Sequence, residues 1–450
     1  MIVMKFGGTS VGVPANFDNA VALVRDRAAL APVVVVSALH GVTNLLVDYA
    51  AAGADRAALS RAILDRHAQF ARDAGLGDTH AAGVAERWMP LHSRHAAAPG
   101  ALGAAARDEV LAFGELASSG LFAAGLARAG VAARAVDAGE AGLVTDDRFG
   151  EAQPLPESAA LLARGIAAGD GVPVVTGFIG RTLDGRRTTL GRGGSDYTAA
   201  IVGAAIGAAE IQIWTDTSGM LSADPRIVPE ARPVPRLSFA EASELAYFGA
   251  RVLHPKTLLP AMDRDLPVRV LNTARPDEPG SLVTAHGDSG DGWSVKSIAC
   301  KKGITAVTIA STRMLLAHGF LARVFEVFGR HHVVVDLVTT SEVSISVTVD
   351  DASRLDDALA ELEGIGRVEV RRDLAVVAVV GEGAPQRIGL AGHVFTLLGG
   401  VGIVVEMISQ GASRVNLSFV VRDADADKSV RLLHRGLGLD AEHPAHVARA

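Results

Sequence analysis

The chain has 450 residues, enough for two to four domains at roughly 100–200 residues each. Hydrophobic residues make up 49% and aromatics only 4%, with abundant Gly and Ala, which fits a soluble α/β protein with a large core and excludes a disordered or fibrous chain. The net charge of −7 is spread without a like-charged block, so nucleic acid is not an expected partner, and the single cysteine, Cys300, excludes an intramolecular disulfide and a cysteine-based metal site.

The chain opens with a predicted strand, Ile2–Phe6, that stops at Gly7 and Gly8. Positions 16–29 have helical spacing, with Phe17, Val21 and Val24 on one face. Positions 32–38 form a continuous apolar run, as expected of a strand buried on both faces. Helices are predicted over 42–52, in the Arg-, Ala- and His-rich stretch 57–94, and over 105–125. Strands follow at 131–136 and 172–178, then a helix at 195–208, a strand at 210–215, a helix at 239–248 and a strand at 268–272. Strands separated by helices imply a mainly parallel sheet between helix layers. No apolar run approaches the roughly 18 residues of a bilayer span, and the start lacks the pattern of a signal peptide. A cytoplasmic protein without a membrane partner is expected, with Cys300 as a buried structural thiol.

Composition changes over 275–293, which is rich in Gly, Pro and Asp and has no period, and a domain boundary is expected there. Beyond it the chain repeats with an offset of 70 positions. The segment from Gly319 to Phe325 matches that from Gly389 to Phe395, Val335-Asp336 matches Val405-Glu406, and Ser346-Val347 matches Asn416-Leu417. Each copy reads strand, helix, strand, strand, helix, with a last strand clear at 367–371, which is the ferredoxin-like βαββαβ pattern. The two copies are expected to pack together, within one chain or across a dimer.

Four segments of the first part carry chemistry. In Lys5-Phe-Gly-Gly-Thr-Ser10, glycines let backbone N–H groups approach phosphate oxygens, and Lys5 offers a charge for a transferring phosphoryl group. A tight strand–helix turn with a surface lysine is the other reading. Ser37 to Leu46, with Ser37, Thr43 and Asn44, follows the second strand at the sheet edge where open α/β folds bind ligands. Helix capping explains the same residues. In Gly191-Arg192-Gly-Gly-Ser195-Asp196, three glycines open a helix whose free N–H groups attract anions, Arg192 can clamp a carboxylate or phosphate, and Asp196 calls for a cation, Mg²⁺ or Lys5, between it and phosphate. The alternative is an ordinary acidic residue in a first helical turn. In Trp214 to Arg226, Thr215, Asp216 and the Asp224-Pro-Arg226 run suit a ribose or a metal-bound phosphate, and Arg251 adds a cation downstream. His254 reads as a structural hydrogen-bonder. GxxxxGK[ST], His-Arg-Asp, Asp-Phe-Gly and GxGxxG are all missing, which excludes a P-loop enzyme and a protein kinase.

Taken in order, these segments resemble the aspartate kinases of the amino acid kinase superfamily. The resemblance rests on KFGGTSV from Lys5, SALHGVTNLL from Ser37, FGELAS from Phe113, DDRFG from Asp146, TLGRGGSDYTAA from Thr189, WTDTSGMLSADPR from Trp214 and FGARVLHPKTLLPA from Phe248. The following repeats look like paired ACT domains, most similar to the monofunctional, lysine-inhibited type. The resemblance implies an amino acid kinase domain over 1–285 and ACT repeats over 300–373 and 374–445. It implies transfer of the ATP γ-phosphoryl group to the β-carboxylate of L-aspartate, the first step toward lysine, threonine and methionine, with Mg²⁺ accompanying ATP and no protein-held metal.

By the same resemblance, Lys5 and Asp196 are catalytic, and Gly7, Gly8, Thr9 and Ser10 cradle phosphates. Arg192 takes the α-carboxylate, Glu115 the α-ammonium, and Ser37, Thr43 and Ser195 line the substrate pocket. Thr215, Asp216, Leu221, Arg226, Arg251 and Val252 border ATP. Two positions depart from the family pattern: Leu221 stands where Tyr is common, which puts one nucleotide contact in doubt, and Arg251 where Lys is common. An L-lysine effector is implied at Met314, Gly319, Phe320, Leu321, Asp336, Ser341, Glu342 and Val343. Asp336 either pairs with a lysine ammonium or simply ends a strand. A homodimer through the ACT repeats, or a tetramer, is implied. A kinase for another amino acid or a nucleotide, and a catalytically inactive ACT-type sensor, are the competing functions; the joint presence of Arg192 and Glu115 favours a free α-amino acid.

Overall fold

The computed structural model describes residues 1–249, 253, 255–287, 294–314, 318–410 and 415–440. They fall into two compact units. The first comprises Met1–Met220, Pro235–Ala242 and the described part of Arg251–Gly287; the second comprises Leu221–Val234 and the described parts of Ser243–Ala250 and Asp288–Ala450. The division is therefore more interleaved than a single break near 285. Residues such as Ala223 and Val228 belong to the second unit because their side chains complete its apolar core.

The first unit runs β1 (Ile2–Phe6), α1 (Gly8–Gly12), α2 (Pro14–Asp26), β2 (Pro32–Val36), α3 (Val42–Ala50), α4 (Arg56–Asp73), α5 (Asp78–His95), α6 (Ala104–Leu111), α7 (Phe113–Arg128) and β3 (Ala133–Val136). It continues with β4 (Val144–Thr145), α8 (Ser158–Ala167), β5 (Val172–Thr176), β6 (Ile179–Thr182), β7 (Arg187–Thr189), α9 (Gly194–Ile206), β8 (Ile211–Thr215) and β9 (Arg236–Ser238). After α10 (Phe239–Phe248), which straddles the division, come α11 (Pro255–Met262), β10 (Val268–Asn272) and β11 (Ser281–Thr284). The main sheet has the order β3-β5-β2-β1-β8-β10-β11-β9 and is parallel except between β10 and β11. Strands β4, β6 and β7 form a second, three-stranded sheet.

β1 and β2 sit at the centre and are buried at every position, as their unbroken apolar runs require. Alternation then divides β1. Ile2, Met4 and Phe6 enter a core shared with Phe17 and Val21 of α2 and with Leu121 and Phe122 of α7. Val3 and Lys5 point to the other face, where the Lys5 side chain reaches α9. The α6–α7 stretch, Ala104–Arg128, is long and apolar enough to cross a membrane, which the sequence reading missed; 72% of its apolar window is buried inside the protein, so it serves as a core element.

α1 was not foreseen, being a single short turn of helix. It sits against the loop after β2, where the His40 N–H donates to the Gly8 carbonyl over 3.1 Å. A Cβ on Gly12 would lie 2.3 Å from the His40 nitrogen.

The second unit forms β12 (Ser297–Ala310), α12 (Phe320–Arg330), β13 (Val338–Thr340), β14 (Ser344–Val349), α13 (Leu355–Leu362), β15 (Arg367–Val380), α14 (Leu390–Gly400), β16 (Met407–Ser409), β17 (Asn416–Arg422) and α15 (Asp423–Gly436). One six-stranded antiparallel sheet, β13-β14-β12-β15-β17-β16, holds both repeats. The two 14-residue strands each serve twice. Positions 305–310 of β12 pair with β14, while 297–301 pair with the far end of β15, which in turn pairs with β17. The second repeat thus takes its last strand from chain that precedes the first repeat. Its core shows the same exchange, for Ile298 packs with Val394 and Phe419, whereas Val307 and Ile309 pack with Val324 and Val347. Cys300 is half-buried on β12, and burial pushes its thiol up to about 12.

Gly12→Ala should destabilise the fold by about 1–3 kcal/mol, because neither α1 nor the His40 backbone can give way. Urea unfolding of the two proteins checks this; equal midpoints would contradict the packing of α1 on the loop.

Candidate active site

β1, β2 and α9 deliver their ends to one cavity of the first unit, of about 760 Å³. Its walls come from Lys5 and Gly8 at the end of β1, Ser37–Gly41 and Thr43 after β2, Leu111 and Glu115 from α6 and α7, and Gly191–Asp196 at the start of α9. This is the carboxyl edge of the parallel strands, where open α/β sheets bind ligands. Of the residues implied by the sequence, Lys5, Gly8, Ser37, Thr43, Glu115, Arg192, Ser195 and Asp196 share these walls. Gly7 adjoins Lys5: a Cβ on it would sit 3.6 Å from the Lys5 Nζ.

The centre of the site is an ion pair. Lys5 Nζ lies 2.6 Å from Asp196 Oδ1, and both side chains are nearly buried. Lys5 is fixed by a strand paired on both sides, and Asp196 by the first turn of α9, where a carboxylate also suits the positive end of the helix. That turn starts at Gly193 with φ of 68°, a left-handed conformation that glycine adopts without strain. Arg192, exposed into the cavity just before it, is left facing the open space.

Glu115 is buried on α7, and its Oε1 accepts the Ala38 N–H over 3.1 Å. Burial pushes its carboxyl up to about 8, against the lowering pull of that N–H and of the Lys5 charge. A buried carboxyl of this kind can take up a cationic group, which would hold it ionised. The cavity therefore presents a guanidinium at one place, a carboxyl at another, and a lysine already paired with an aspartate. That set matches an α-amino acid together with a polyphosphate.

Several cavity residues were given no role by the sequence, although Phe149 and Gly150 end the DDRFG motif. Arg107, Phe149, Gly150 and Glu151 line the wall from α6 and from the loop after β4. Phe178 lines it with φ of 67°, a left-handed conformation rare for a bulky residue. It is held there because its N–H donates to Thr198 Oγ1 (3.0 Å) and its carbonyl accepts from Leu190 (2.9 Å). Backbone strain of this kind gathers at functional sites.

Other implied residues lie elsewhere. Ser10 is buried with its hydroxyl 2.7 Å from Thr273 Oγ1 and 3.3 Å from the Trp214 carbonyl, so its side chain ties α1 to the ends of β8 and β10. Thr9 is half-buried, and its carbonyl accepts from Asn16 Nδ2 over 3.3 Å. At the end of β8, Thr215 Oγ1 donates to Asp216 Oδ1 over 3.2 Å. Leu221 and Arg226 belong to the second unit, where Leu221 bridges Pro233 and the Arg226 guanidinium forks onto Asp224, with Nε 3.0 Å from Oδ1. Arg251, Val252 and His254 lie outside the described residues.

In the second unit, the implied effector residues spread around α12 and the β13–β14 turn. Leu321, Glu342 and Val343 are exposed, as is Gly319, whose φ of 77° opens α12, and Met314 is half-buried. The Ser341 hydroxyl closes the turn with Ser344 Oγ over 2.8 Å. The Phe320 ring is buried in the core of the first repeat. Asp336 receives a hydrogen bond from the Tyr247 hydroxyl, and burial, helped by the negative charge of Asp350, pushes its carboxyl up to about 7.

Known proteins show the same assembly of parts. Residues 1–272 match the amino acid kinase family, and 307–364 and 377–437 match the ACT domain. The lysine-sensitive aspartokinase 3 of Escherichia coli K12 is 39% identical over 97% of this chain and 99% of its own length. The chloroplastic aspartokinase 2 of Arabidopsis thaliana is 39% identical over 96% of this chain and 83% of its own. The crystal structure of E. coli aspartokinase III with aspartate and ADP, in its R-state, superposes with a TM-score of 0.84 at 37% identity, covering 97% of this chain and 99% of that one. Its T-state complex with lysine and aspartate, at the same coverage and identity, gives 0.77. The chain belongs to the amino acid kinase family and, within it, to the aspartokinases.

Proposed function

We propose that this protein transfers the γ-phosphoryl group of ATP to the β-carboxylate of L-aspartate, giving 4-phospho-L-aspartate, and that L-lysine inhibits it. The observation that carries the reading is the meeting of Lys5, Asp196, Arg192 and Glu115 on the walls of one cavity. The aspartate and ADP bound by the E. coli relative have the same chemistry as these four groups require.

The acceptor carboxylate is already ionised at neutral pH, so no general base is needed. What the reaction demands is in-line placement and relief of charge. Arg192 offers two parallel hydrogen bonds to the α-carboxylate, and Glu115 receives the α-ammonium, which turns the β-carboxylate toward Lys5. The Lys5 ammonium meets charge on the transferring phosphoryl oxygens, and Asp196 holds that ammonium at the end of β1. Ser37, Thr43 and Ser195 supply hydroxyls around the acceptor, and the Gly7 and Gly8 backbone approaches phosphate. Among the described residues no group of three or more His, Cys, Asp or Glu side chains could hold a metal ion. Mg²⁺ would come with ATP, where it offsets phosphate charge, and Asp196 is the carboxylate of this chain nearest that role.

The regulatory reading rests on the ACT repeats and on the lysine bound by the T-state relative. Asp336 would take an ammonium of lysine. Exposed apolar side chains of the same unit, among them Leu321, Val334, Val338 and Val343, suit a homodimer through the ACT repeats. A tetramer would need further surfaces.

The test is formation of hydroxylamine-trapped phospho-aspartate from purified protein, MgATP and L-aspartate; turnover of glutamate or N-acetylglutamate in preference would overturn the assignment. In that assay the KM for aspartate should fall as pH rises through about 8, because Glu115 must be ionised to receive the ammonium and is neutral below its raised value. Glu115→Gln should raise KM and flatten this dependence. An unchanged profile in the variant would remove Glu115 from substrate binding.

L-lysine alone should inhibit, and threonine or methionine alone should not. Inhibition should strengthen from pH 6 to pH 8, as Asp336 ionises around its raised value of about 7. Asp336→Asn should raise the half-inhibitory lysine concentration roughly tenfold or more, in line with loss of a charge-assisted hydrogen bond. Full lysine sensitivity in that variant would place the effector elsewhere.

A further inference from the structure

Asp108 lies in the middle of α6 and is 1% exposed, yet it carries a carboxylate one turn from the cavity wall. Both its oxygens accept hydrogen bonds from segments distant in sequence. Oδ2 accepts the Gly150 N–H over 2.8 Å and the Thr189 N–H over 2.7 Å, and Oδ1 accepts the Thr189 hydroxyl over 3.0 Å. Gly150 sits in the loop that lines the cavity with Phe149 and Glu151, and Thr189 is the last residue of β7 before the Gly191–Asp196 turn. The two segments are also tied directly, since the Ala152 N–H donates to the Thr189 carbonyl over 2.9 Å. They pass so closely that a Cβ on Gly191 would lie 3.2 Å from the Gly150 oxygen.

We propose that Asp108 is the positioning residue for the acceptor end of the site: one buried carboxylate fixes the Phe149–Glu151 loop and the Thr189–Arg192 approach to each other, and so sets where the Arg192 guanidinium stands. The inference rests on the reading of Arg192 as the group that takes the α-carboxylate. Three hydrogen bonds converge on this one buried carboxyl, and they add to the single direct bond between the segments, from the Ala152 N–H to the Thr189 carbonyl. The same anchor fixes α6, whose Arg107 reaches the cavity beside Gly150. The phosphate side, at Gly7 and Gly8, is built by β1 and has no bond to Asp108. Loss of the anchor therefore acts on one substrate and not on the other.

The consequence separates a positioning role from a general loss of stability. Asp108→Ala should raise the KM for aspartate roughly ten- to hundredfold, as expected for a misplaced substrate-holding group. The KM for MgATP should stay within about twofold, since uniform binding of the nucleotide is untouched. Asp108→Glu keeps the charge but moves it by one methylene, and should show the same split if the alanine variant folds poorly. Asp108→Asn should restore most of the parent's KM for aspartate: its amide oxygen can accept both N–H groups, and its NH₂ can donate to Thr189 Oγ1.

Hydrogen–deuterium exchange of the full chain supplies a readout independent of turnover. Peptides covering 146–153 and 187–193 should exchange faster in Asp108→Ala than in the parent, and near the parent's rate in Asp108→Asn. Faster exchange without a change in the aspartate KM would keep the anchor and refute the role of Arg192. Unchanged exchange, a parallel rise of both KM values, or an asparagine variant as impaired as alanine would overturn the proposal itself.

Discussion

The ion pair between Lys5 and Asp196 is the constraint around which the site is built. It joins the end of a central strand to the first turn of a helix more than 190 residues later, at 2.6 Å and nearly out of water. A lysine placed alone at a buried strand end would lose its charge or turn to solvent. With Asp196 opposite it, the Lys5 nitrogen is paired at the wall of the cavity. The cost of removing one partner of such a pair is about 3–5 kcal/mol, mostly from the charge left behind. The fold and the shape of the cavity therefore depend on the same contact.

Around that pair the wall of the cavity is tied down at several points. Glu115 is fixed by the Ala38 N–H, Phe178 by Thr198 and Leu190, and the loops beside Arg192 by the Asp108 carboxylate. Phosphoryl transfer leaves little covalent work for the protein, so accuracy of placement is where an enzyme of this kind gains rate. Burial also pushes the Glu115 carboxyl up to about 8, so a cationic group placed beside it would favour its ionised form.

Much of the first unit was legible from sequence because its signals are local. An unbroken apolar run such as 32–36 reads as a buried strand, and glycines before a helix with Arg192 and Asp196 read as an anion site. What brought Lys5 and Asp196 into one place was the parallel order of strands, which the strand–helix alternation implies. The unread features depend on contacts with no local period. Asp108 looks like any acidic residue in an Ala-rich helix until Gly150 and Thr189 fold onto it. Ser10 reads as one more hydroxyl beside glycines, but its turn of helix directs it to Thr273. Phe320 follows a glycine in the effector segment, yet its helical face sends the ring into the core. The exchange of strands in the second unit was hidden for a similar reason, because a repeat offset along the chain does not reveal that the closing strand of one copy lies before the other.

The direct measurement of the central claim is the turnover number of Lys5→Met, a variant that keeps the apolar stem and deletes only the charge, with melting temperature and aspartate binding recorded alongside. A folded variant that still binds aspartate should lose roughly 10²–10³ in kcat or more, the loss typical of a missing charge-stabilising donor. A folded Lys5→Met enzyme turning over at the parent's rate would show that the ammonium held by Asp196 does not act on the transferring phosphoryl group.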